Sequence, residues 1–83
     1  MVTKELAMKD FTRTDASPAA MLVQLASKFA SSVYVDQAEK RTNAKSIMGV
    51  MILNFAAGTK ATVTVDGPDE AAALAELAQF LEA

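Results

Sequence analysis

The sequence predicts an α+β fold, with helices packed on one face of a single antiparallel sheet. Three observations carry this. Apolar residues recur at helical spacing in three stretches, opened by Ser17-Pro18, by Ser46 and by Gly67-Pro68-Asp69. Between them apolar and polar residues alternate, at Val33–Val35 and Ala61–Val65, as they do in half-buried strands. These strands are too short and too polar to be covered on both faces, which favours an antiparallel sheet with one solvated face. The 83 residues, 52% of them hydrophobic, make one domain over residues 1–83.

Each element follows from local chemistry. Within Met1–Asp10, Val2, Leu6 and Met8 offer partial alternation for a first strand, and Phe11 to Ser17 reads as a loop. Ser17 suits an N-cap, Pro18 the first helical position, and Asp15 lies favourably near the positive end. Leu22, Leu25, Ala26 and Phe29 then form the buried stripe of a first helix. Val33 and Val35 mark the next strand, and Gln37 to Asn43 holds a turn with at best a short edge strand. Ser46 to about Asn54 is a second helix, with Val50 and Leu53 assigned to the core. Ala61, Val63 and Val65 mark a further strand, and the Gly67-Pro68-Asp69 turn caps a last helix that buries Leu74, Leu77, Ala78 and Leu81. The order is β-α-β-(β)-α-β-α.

Composition excludes several function classes. Without cysteine there is neither disulfide nor thiolate chemistry, and a reducing cytosol is compatible. A net charge of −2 with scattered lysines and arginines argues against direct nucleic-acid binding, which needs clustered cations. No apolar run approaches the roughly 20 residues that cross a bilayer, and Met1–Lys9 carries no secretory signal pattern. No membrane association is expected, and the chain reads as a soluble intracellular domain.

The most informative stretch is Asn43-Ala44-Lys45-Ser46-Ile47-Met48-Gly49-Val50-Met51. A helix of this length buries only part of its circumference, so some of its apolar residues face outward. Ile47, Met48 and Met51 are placed in a docking patch, since methionine is flexible enough to fit more than one partner. Ser46 as an N-cap is explained by capping alone, yet a phosphate there meets unpaired N–H groups and the helix dipole, with Lys45 as a neighbouring cation. Arg13 and Lys28 are candidate rim residues, although ordinary solvated charges account for them equally well.

This stretch closely resembles the regulatory-serine segment of HPr, the small phosphocarrier of the bacterial sugar phosphotransferase system. Pro18 to Phe29 looks like the first helix of that family, Asn43 to Leu53 like its second, and Gly67-Pro68-Asp69-Glu70 like the start of its third. The resemblance implies the HPr-like open-faced β-sandwich, βαββαβα, a four-stranded antiparallel sheet covered on one face by three helices. It also implies phosphorylation of Ser46 by the HPr serine kinase/phosphorylase.

The departure lies in one loop. The family reads Thr-Gly-Leu-His-Ala-Arg-Pro where this chain reads Thr12-Arg13-Thr14-Asp15-Ala16-Ser17-Pro18, and the chain has no histidine. Asp15 stands at the position of the phosphorylated histidine and Ser17 at that of the supporting arginine. An aspartate can accept a phosphoryl group, but such sites bring a metal or fixed cations, and only Arg13 is near. Asp15 can also imitate a phosphohistidine, with less charge. Complementing the first helix, worth about 0.5–1 kcal/mol, is the reading that asks least of it, and it leaves the carrier site silent.

Taken together, the resemblance points to a cytoplasmic HPr-like regulatory module, a binding protein and not an enzyme, with no metal or cofactor expected, similar to the histidine-less catabolite-repression paralogue of bacilli. The implied partners are the serine kinase and a transcription regulator, with the phosphotransferase enzyme I weakly engaged or lost. The alternative is an altered HPr scaffold without native phosphotransfer. A second, milder departure is Ala38-Glu39, where the family often places an Asp-Gly hairpin turn.

Overall fold

The computed structural model describes residues 1–12 and 17–82. Its elements are β1 (Val2–Ala7), α1 (Pro18–Ser27), β2 (Ser32–Gln37), β3 (Lys40–Asn43), α2 (Ile47–Val50), β4 (Lys60–Asp66) and α3 (Glu70–Leu81). The strands form one sheet in the order β1-β4-β2-β3, with every neighbouring pair antiparallel. The predicted α+β arrangement is therefore the one observed.

Register explains the core. Val65 lies opposite both Val2 and Val33, Val63 opposite Val35, and Ala61 opposite Leu6. With side chains alternating across the sheet, these residues share one face, and the helices close over it. Ala19, Leu22 and Ala26 of α1, Val50 of α2, and Ala73, Leu77, Ala78 and Leu81 of α3 complete the core. Thr64 points to the other face and is nevertheless buried, flanked by Thr3 and Tyr34 in the two adjoining strands.

Several expectations are corrected in detail. The first helix stops at Ser27, so Phe29 lies past its end and, like Leu25, packs half-buried at the border of the core. The turn and short edge strand expected in Gln37 to Asn43 are both present, the strand having four residues, with Thr42 turned inward while Lys40, Arg41 and Asn43 stay exposed. The second helix is a single turn, not a helix to Asn54, and Leu53 beyond it is half-buried. Asp69 occupies the N-cap position of α3 without making a side-chain cap bond. Its carboxylate instead accepts N–H bonds from Ala30 and Ser31, both at 2.9 Å, and one from the Ser31 hydroxyl.

The β2–β3 hairpin carries strain. Ala38 and Glu39 form its two-residue turn with φ of 47° and 69°. Two left-handed residues in a two-residue loop suit Asn-Gly, and an L side chain there costs on the order of 1 kcal/mol per residue. The double substitution A38N/E39G is expected to raise the melting temperature by roughly 4–8 °C, followed by circular dichroism. An unchanged or lower melting temperature would contradict this account of the turn.

Candidate functional site

The candidate site is built on a helix too short to hide its own side chains. Ser46 caps α2, its hydroxyl accepting the Gly49 N–H at 3.4 Å. Gly49 sits in mid-helix, where glycine ordinarily costs stability. The reason is proximity: a Cβ there would stand 3.1 Å from the Thr42 methyl of β3, so α2 lies close against the sheet edge. Val50 alone reaches the core, fully buried.

The remaining apolar residues face solvent. Ile47 is 45% exposed, Met48 80% and Met51 69%. Ile52, at 62%, joins them and was not singled out from the sequence, although it lies four residues after Met48 and so on the same side of a continued helix. Four large apolar side chains close in sequence to an exposed serine form a patch that the core does not use.

The expected charges are disposed unevenly. The ammonium group of Lys45 donates to the Phe29 carbonyl at 2.7 Å, and its backbone N–H to the Asn43 side chain at 2.9 Å. Lys45 thus ties the segment before α2 to the turn that follows α1, and its charge is already engaged beside Ser46. Lys28 is exposed at the C-cap of α1 and lines a groove with Met21, Gln24, Leu25 and Phe80. Ser17 caps α1 by accepting the Ala20 N–H at 3.4 Å, an ordinary structural role. Asp15 and Arg13 lie outside the described residues.

One electrostatic expectation changes. A helix of four residues has little macrodipole, so an anion on Ser46 would rely on first-turn N–H groups and not on a long helix behind them. Among the described residues, no group of three His, Cys, Asp or Glu comes together to hold a metal ion. Nor is any helix among them long and apolar enough to cross a membrane.

The segments that resemble HPr fall on α1, on α2 and its flanks, and at the start of α3, in the predicted order. The family described as "PTS HPr component phosphorylation site" matches residues 2–83. The chain belongs to the HPr family. Among its relatives, the "HPr-like protein Crh" of Halalkalibacterium halodurans is 40% identical over 82 residues, 99% of this chain and 98% of that one. The "Phosphocarrier protein HPr" of Treponema pallidum is 39% identical over 82 residues, covering 99% and 93%. The crystal structure of the phosphocarrier protein HPr from Bacillus anthracis superposes with a TM-score of 0.88 at 36% identity, over 98% of this chain and 96% of that one. The chain is thus an HPr-like protein of the phosphotransferase and catabolite-repression kind, with likeness to both phosphocarriers and Crh.

Proposed function

We propose that this HPr-family chain is a regulatory binding module, switched by phosphorylation of Ser46 and docking protein partners through Ile47, Met48 and Met51. The observation that carries the reading is the apolar cluster displayed around an exposed capping serine. In the switch, the serine kinase moves the terminal phosphoryl group of ATP to the Ser46 hydroxyl oxygen. The hydroxyl proton is released, and ADP leaves. The product adds about −1.5 to −2 charge and three acceptor oxygens beside the patch.

A partner fitting this surface presents apolar groups to Met48 and Met51, and a cation to the phosphate. A transcription regulator is the partner that the resemblance implies, with this chain itself not touching DNA. Phosphotransfer through the histidine position has no acceptor of the family's kind, since the chain contains no histidine and Asp15 stands there.

The reading is tested by binding. The Ser46-phosphorylated chain is expected to bind its regulator at least tenfold more tightly than the Ser46→Ala variant, in line with one or two charge-assisted hydrogen bonds. Equal affinities, measured by calorimetry, would overturn it.

A further inference from the structure

Behind the patch lies a feature with no counterpart in the sequence motifs. The α-helix ends at Val50 with Met51 as its C-cap, and the N–H groups of Ile52 and Leu53 reach back only three residues, to the Gly49 and Val50 carbonyls. Met51 and Ile52 are exposed and Leu53 is only half-buried, so apolar burial does little to hold this tail. Hydrogen bonds do. The side-chain amide of Gln37, at the end of β2, donates to the Asn54 carbonyl and accepts the Asn54 N–H, both at 2.9 Å. Asn54 in turn accepts the Ala56 N–H on its own side chain at 2.9 Å.

This two-way pairing replaces the ladder that a strand would have supplied. It bridges a cleft of about 200 Å³ between the β2–β3 hairpin and the tail, lined by Gln37, Lys40, Thr42, Ile52 and Leu53 among others. Gln37 adjoins Ala38, the first left-handed residue of the strained turn.

We propose that Gln37 is a positioning residue for the docking patch, clamping the tail of α2 so that Met51 and Ile52 are presented as one surface with Ile47 and Met48. The assignment rests on the reading of that patch given above. It makes the β2–β3 hairpin part of the site without touching a partner. Ordering before contact matters, because a surface already fixed loses less freedom on binding.

The test compares the full chain with Gln37→Ala, which removes both bonds, and with Gln37→Glu, which keeps an acceptor for the Asn54 N–H but sets an oxygen against its carbonyl. Amide exchange is followed by NMR, and Ser46 phosphorylation by the serine kinase with ATP is timed. Gln37→Ala is expected to speed exchange at Asn54 about tenfold, as loss of a hydrogen bond of ordinary strength would. The Val63, Val65 and Leu77 amides are expected to be unaffected. Gln37→Glu should fall between, and phosphorylation should slow several-fold in Gln37→Ala. Unchanged exchange at Asn54, acceleration shared equally by β4 and α3, or an unaltered phosphorylation rate would each overturn the proposal. If the unsubstituted chain is not phosphorylated at all, the Ser46 reading fails by itself, and the exchange data still decide whether Gln37 is the clamp.

Discussion

Replacing Gly67 with alanine is expected to destabilise the fold by about 3 kcal/mol, lowering the melting temperature by more than roughly 10 °C. Gly67 has φ of +154°, and an added Cβ would stand 2.5–2.7 Å from the Ser31 hydroxyl oxygen, Cα and Cβ. The Cα is backbone and cannot swing aside. The two turns that meet there, before β2 and after β4, would have to separate, and with them the hydrogen bonds that Asp69 makes to Ala30 and Ser31. Gly58 supplies the control. It too has positive φ, at +83°, but nothing lies within 4 Å of its would-be Cβ. Gly58→Ala should therefore cost only the left-handed backbone, about 1 kcal/mol. Equal losses at the two sites, by thermal denaturation, would refute the packing argument.

The second large effect centres on Asp69. Its carboxyl is held below the ordinary value of 3.8, first by the Ser31 hydroxyl and then by the Ala30 N–H. Folding therefore favours the ionised form, and the associated stability is present above the ordinary value. It fades as pH falls through the lower folded value. Glu70 acts in the same direction, lowered chiefly by its hydrogen bond with the Met1 amine. That amine is raised above 8.0 by Glu70, so its contribution is present below pH 8 and lost as pH rises through the raised value.

Asp69→Asn is expected to be markedly less stable than the unsubstituted chain at pH 7, because an amide NH2 would face the Ala30 N–H, donor against donor. The gap should narrow as pH falls below the ordinary value of 3.8 and on through the lower folded value, where the native carboxylate protonates. A gap constant from pH 7 to pH 2.5, in denaturant titrations, would show that charge on Asp69 is not the cause.

Much of the fold was legible because periodicity and burial agree. Leu22 and Ala26, then Val33 and Val35, then Ala61, Val63 and Val65, then Leu77, Ala78 and Leu81 are apolar where a 3.6- or 2-residue period demands it, and all of them are buried in the core. The legible part ends where tertiary contacts decide. Between Val50 and Leu53 every residue is apolar, with neither glycine nor proline, so nothing local marks the helix end at Val50, and the first polar residue is Asn54. The tail beyond the helix is held by Gln37, seventeen residues away from Asn54, and no local rule pairs them. Asp69 was read as a cap because position and residue type suited one, whereas its carboxylate spans to another turn. β3 was nearly invisible, its Lys-Arg-Thr-Asn run giving a single inward residue to read.

The patch was more legible than its frame. A serine followed by Ile47, Met48 and Met51 cannot bury all three in one turn, and the structure exposes all three. Ile52 escaped notice because the helix was drawn too long, which spread the apolar residues around a larger circumference.

The central claim, a serine-switched module without a working carrier site, is tested most directly by phosphorylating the purified chain with two donors and locating the product by intact mass and fragmentation. One donor is phosphoenolpyruvate with the phosphotransferase enzyme I; the other is ATP with the HPr serine kinase. The account predicts a single phosphate, on Ser46, from the kinase alone. A base-labile phosphate on Asp15 from the first donor, or none from the kinase, would contradict it.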